Sequence, residues 1–96
     1  MTISFIITYS KFLADYPKKY GLNVCLSWCE FIINWAKKEY SDRNISINVM
    51  EKVFKISENL KTLILRKFEK EEIEEYYSEY CRKIKLNIDE LRKNKE

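Results

Sequence analysis

Hydrophobic positions recur along this chain in four blocks, and three of them have helical spacing. Between Leu22 and Tyr40, the residues Leu22, Cys25, Leu26, Cys29, Ile32, Ile33, Ala36 and Tyr40 fall on one stripe at 100° per residue. Val24, Trp28, Phe31 and Trp35 widen it on one side, leaving a narrow polar strip of Asn23, Ser27, Glu30, Asn34, Lys37 and Lys38. A helix this apolar either packs centrally or keeps an aromatic face for a partner.

After the polar break at Ser41-Asp-Arg-Asn, Asn48 with Glu51 three positions on has the form of a capping box and predicts a helix to about Phe68. Val49, Val53, Ile56, Leu60, Leu63 and Ile64 share one face, opposite Glu51, Lys55, Glu58, Thr62 and Arg66. The last block places Ile73, Tyr76, Tyr77, Tyr80, Ile84, Ile88 and Leu91 together. Its first turns are acidic and its later turns basic, as the helix macrodipole favours. A break is expected near residues 86 and 87, where Asn87 with Glu90 resembles a fresh cap, and fraying from about Lys93.

The first block is ambiguous. Ile3, Phe5, Ile7 and Tyr9 alternate with Thr2, Ser4, Thr8 and Ser10 as a half-buried strand would, yet the sequence from Lys11 to Asp15 continues like a helix. A strand here would need a partner, and residues 44–49 alternate in the same way. One glycine (Gly21) and one proline (Pro17) in 96 residues leave too few turn formers for a sheet protein, which favours helix. Pro17 closes the block. The predicted fold is all-α, a compact bundle of about four helices in a single domain over 1–96. The alternative is an α+β fold pairing 2–9 with 44–49.

Composition supports a folded chain. With 46% hydrophobic and 15% aromatic residues it is too apolar for disorder despite being 34% charged. Abundant Lys, Ile, Asn and Tyr beside scarce Gly, Ala, Arg and Pro is the signature of an AT-rich gene. A net charge of +3, from 18 basic and 15 acidic groups, does not announce a nucleic-acid binder. Three cysteines with no secretory signal ahead of them predict reduced thiols and a cytoplasmic protein. No run is long enough to span a bilayer, so no membrane partner is expected.

Chemistry is sparse. The chain has no histidine, which removes the commonest general base and zinc ligand, and one glycine cannot form a phosphate-cradling loop. An enzyme is not expected, and neither a metal nor a cofactor is assigned. Cys25 and Cys29, one turn apart in an apolar stripe, are expected as small buried hydrophobes.

Three groups of residues remain as candidate contacts. Glu71, Glu74, Glu75 and Glu79 with Tyr77 form an acidic-aromatic face suited to a basic protein partner, such as one that handles nucleic acid. Trp28, Phe31 and Trp35 are candidate anchors of a homodimer or partner interface, if the first block does not cover them. Lys61, Arg66 and Lys67 are the candidate nucleic-acid contacts. A helix-turn-helix within Val49 to Phe68, with Ser57 capping a recognition helix, is disfavoured by the apolar stripe running through the supposed turn.

The chain is therefore expected to be a non-enzymatic interaction module: an adaptor, inhibitor or assembly subunit. A virus- or mobile-element-encoded inhibitor of a host nucleic-acid-handling protein fits the composition and the acidic face. The competing expectation is a small dimeric DNA- or RNA-binding regulator.

Overall fold

The computed structural model describes residues 1–79, 81 and 82, and these form an all-α bundle with no strand among them. The predicted break at 86–87, the frayed tail, and the stripe positions Tyr80, Ile84, Ile88 and Leu91 lie outside the described residues.

Helix α1 spans Ile3–Asp15 and is opened by Thr2, whose hydroxyl oxygen accepts the Phe5 amide at 3.1 Å. Its buried seam is Ile6, Ser10 and Leu13, at helical spacing. The strand-like alternation comes from the apolar residues flanking that seam, with Phe5 and Tyr9 on one side and Ile3 and Ile7 on the other. Pro17 lacks an amide hydrogen, and Tyr16 leaves helical geometry ahead of it with φ −129° and ψ 53°.

The proline then opens a single turn that the sequence pattern did not disclose, α2 (Pro17–Tyr20). Gly21 separates it from the next helix at φ 90°, a conformation that glycine adopts freely.

Helix α3 (Leu22–Ser41) is central. It buries Leu22, Cys25, Leu26, Cys29, Ile32 and Ala36. The turn after it places Arg43 at φ 64°, and Asn44 fastens it through its side-chain amide to the Glu39 carboxylate at 2.9 Å.

Helix α4 (Ile47–Lys67) begins two residues before the sequence expectation. Ser46, not Asn48, is the cap, accepting the Val49 amide at 3.3 Å. The earlier start wins because it extends the backbone ladder, with the Met50 amide bonded to the Ser46 carbonyl at 3.0 Å. The buried face is also rotated from the predicted one. Val53, Ser57, Leu60 and Ile64 are buried, whereas Leu63 is exposed and Val49 and Ile56 are half-buried.

Residues 70–79 form the fifth helix, α5, whose Ile73 and Tyr76 pack on the core. The Glu72 carboxylate reaches back to the Glu69 amide at 3.1 Å, half of a capping box.

Two buried clusters hold the bundle together. Leu13, Leu22, Cys25, Leu26, Cys29, Leu60 and Ile64 make one; Ile6, Ile32, Ala36 and Val53 make the other, and Trp28 packs against both. The Lys67 ammonium donates to the Ala14 carbonyl in the last turn of α1, tying the end of α4 to the end of α1.

Candidate protein-binding surfaces

Helix α3 has three unlike neighbours. Against α4 its side chains are small: Cys29 and Ala36 are buried there, and the Ser57 hydroxyl of α4 donates to the Cys29 carbonyl at 2.8 Å. Ser57 thus sits in the middle of a continuous helix, and the helix-turn-helix in which it would cap a second helix is absent. Burial raises the Cys25 thiol above its ordinary value and pushes Cys29 up to about 11. Both thiols are free and held neutral in the core, while Cys81 is exposed. Among the described residues no group of cysteine and acidic side chains has the arrangement of a metal site.

Toward α1 the contact joins the buried Ile6 and Leu13 to a cluster of rings. Trp28 is its hub, with the Tyr9 ring edge-on at 4.5 Å, Phe5 edge-on at 6.2 Å and Phe31 stacked at 5.6 Å. The indole Nε1–H donates to the buried Ser10 hydroxyl at 3.0 Å, which fixes the ring's orientation. The backbone of α1 lies closer to α4 than to α3. The outer rings remain open to solvent.

Of the three anchors read from sequence, the structure divides the roles. Trp28 and Trp35 are half-buried in the bundle, whereas Phe31 is 53% exposed. Sequence reasoning missed the α1 half of this surface. Phe5 and Phe12, together with Val24 of α3, are 43 to 51% exposed, while Tyr16 lines a separate groove with Lys18, Lys19 and Lys67. Their signal was the spacing of Phe5, Tyr9, Phe12 and Tyr16, a helical stripe masked by the apparent alternation.

Helix α5 covers the opposite flank of α3. With Ile73 and Tyr76 turned inward, Glu71, Glu74, Glu75 and Glu79 occupy its outward arc, all exposed, with Tyr77 at the edge. Two exposed pairs, Lys18–Glu72 at 3.9 Å and Lys70–Glu74 at 4.0 Å, offset part of this charge. Glu71, Glu75 and Glu79 form no ion pair among the described residues. Beneath Tyr77 lies an open groove of about 280 Å³ between α3, α4 and α5, with Glu30 and Lys61 among its lining residues.

The three candidate nucleic-acid cations do not share a patch. Lys61 lines that groove, Lys67 is engaged on Ala14, and Arg66 lies on the exposed outer side of α4. No described helix is long and apolar enough to cross a membrane. In comparisons with known protein families, curated proteins and solved structures, nothing matches this chain.

Proposed function

We propose that this protein is a non-enzymatic interaction module, an adaptor, inhibitor or assembly subunit working through helix faces in the cytoplasm. One observation carries the reading: Phe5 of α1 and Phe31 of α3 stand half-exposed on either side of Trp28, in stretches of the chain with few charged residues. Interface cores are enriched in aromatic residues and depleted of charged ones, and their rings supply most of the binding energy.

The α5 arc gives the proposal its finer form. Glu71, Glu75 and Glu79 are spaced i, i+4, so each successive pair costs a few tenths of a kcal/mol in a helix, on the order of 0.2 to 0.5. A basic protein surface relieves that repulsion, and Tyr77 supplies an aromatic contact beside it. A nucleic-acid-handling protein has such a basic surface. An inhibitor carried by a virus or mobile element and aimed at a host protein of that kind fits the arc and the AT-rich composition. The regulator reading, direct DNA or RNA binding, has less support, because Lys61, Arg66 and Lys67 diverge.

Tagged protein recovered from its native host, with and without nuclease, tests this. The expected result is a protein partner that survives nuclease and is lost when Glu71, Glu75 and Glu79 are changed to Gln. Retention of nucleic acid alone, released by nuclease or high salt, would overturn the proposal and favour the regulator.

A further inference from the structure

We infer that the groove between α3, α4 and α5 is a binding site for a small amphipathic zwitterion, with the size and charge pattern of a free aromatic amino acid. The site lies beside the acidic arc and stands independently of the interaction reading above. Leu26 and Ile33 of α3 and the Tyr76 and Tyr77 rings of α5 give it apolar walls, the two rings lying edge to face at 5.4 Å. Cys29 and Ser57 also line it, and both are buried. The Ser57 hydroxyl is already engaged on the Cys29 carbonyl. At about 280 Å³ the groove falls just under the volume of roughly 300 Å³ at which pockets for drug-sized molecules begin. Its occupant is therefore small: one ring and a short polar head.

Charge selects the head. Glu30 of α3 and Lys61 of α4 line the same groove with opposite signs. Helices α3 and α4 run antiparallel, since Leu26 clusters with Leu60 and Ile32 with Val53, and the Ser57–Cys29 bond sets their register. Glu30 stands beside that bond, whereas Lys61 stands one turn past it in the other direction. At the rise of an α-helix this is an axial offset of about 7.5 Å between the two backbones. Neither residue forms an ion pair with the other or with any other described residue. The Lys61 charge is felt at the floor: burial raises the Cys29 thiol, and the Lys61 ammonium acts in the opposite sense.

A ligand with one charge meets a like charge here. An anion drawn to Lys61 faces Glu30, a cation drawn to Glu30 faces Lys61, and an uncharged apolar molecule gains from neither. A zwitterion sets its ammonium toward Glu30 and its carboxylate toward Lys61 while its ring packs against the tyrosines, so that both charges and the apolar walls are matched together.

Titration of L-tryptophan into the whole isotope-labelled chain, in mildly acidic buffer and followed through backbone amide shifts, tests the site. Saturable shifts at Leu26, Ile33, Tyr76 and Tyr77 are expected, with a dissociation constant on the order of 1 mM for a ligand of about fifteen non-hydrogen atoms. Tryptophan methyl ester keeps only the positive charge and N-acetyltryptophan only the negative, and each should bind about tenfold more weakly. Lys61→Met should weaken L-tryptophan about tenfold and leave the methyl ester no weaker. Glu30→Gln should weaken L-tryptophan equally and spare N-acetyltryptophan. Both positions are exposed and both replacements are good helix formers, and circular dichroism establishes that the variants fold.

Changing Glu71, Glu75 and Glu79 to Gln should leave tryptophan binding intact, which separates this site from the acidic arc. Loss of binding in that variant overturns the groove as the site. Absence of saturation well above the expected constant overturns it too, as do shifts confined to the rings around Trp28. Equal affinity for the three forms of tryptophan overturns the zwitterion, because it is adsorption to an apolar surface.

Discussion

Phe31 and Ile32 are adjacent in sequence and meet opposite fates. Ile32 points into the core and is fully buried, clustered with Ala36, Val53 of α4 and Ile6 of α1. Phe31 points toward the α1 flank and is half in water, stacked on Trp28. The difference lies in side-chain size. Cys29, Ala36 and Ser57 let α3 and α4 approach closely enough for a hydroxyl to bond a carbonyl of the facing backbone at 2.8 Å. On the α1 flank the rings of Phe5, Tyr9 and Trp28 stand outside the buried Ile6 and Leu13. The first contact supplies stability within one chain, and the second leaves apolar surface exposed among the described residues.

The largest test of that contrast is Ile32→Ala. Removing a fully buried isoleucine is expected to cost about 2 to 5 kcal/mol, read as a lower midpoint in urea unfolding. A loss below about 1 kcal/mol would show that α3 and α4 do not form the tight side of the molecule.

Next in size is a pH effect specific to that contact. Cys29 is pushed up from the ordinary thiol value of 9.0 to about 11, chiefly by burial. An acid whose folded value is raised contributes stability that is complete below its unfolded value and falls as pH rises through it. Between about pH 8 and about pH 10.5 the native chain should therefore lose about 2 kcal/mol through this one thiol. Comparison with Cys29→Ala isolates it, because Tyr and Lys titrations are common to both proteins. The gap between them should narrow by that amount across the interval. A constant gap would mean that Cys29 is hydrated.

How much of this was legible follows from which forces are local. Helices α3 and α4 were readable because their apolar spacing persists over many turns, and the acidic arc of α5 because it lies within one stretch. The α1 stripe was obscured because apolar residues flank its narrow seam on both sides, which imitates period-two alternation. Ser46 was passed over for Asn48, since Glu51 supplies a box pattern that Val49, three residues after Ser46, does not. Ser57 was unreadable for a different reason: its partner, the Cys29 carbonyl, lies 28 residues away, and a serine at that position carries no local signal of burial. Phe5 and Phe12 were missed as surface because exposure depends on the separation of two helices that only the packed structure sets.

Ser57→Ala gives the next smaller effect. The hydroxyl is buried and bonded, so its loss should cost about 1 to 1.5 kcal/mol by urea unfolding. A neutral substitution would mean that the α3/α4 approach does not depend on this bond.

The smallest expected effect comes from Phe31→Gln, and it completes the contrast with Ile32. Glutamine is a good helix former, so the backbone of α3 is not penalised. What the change removes is part of the buried half of one ring and its stacking on Trp28, about 1 kcal/mol once the burial kept by the glutamine stem is counted. Trp28 keeps its bond to Ser10 and its contact with Tyr9, so its fluorescence should shift to the red only slightly. A Phe31→Gln loss as large as that of Ile32→Ala would mean that the ring belongs to the monomer core, and the division of α3 into a tight side and an open side would fail.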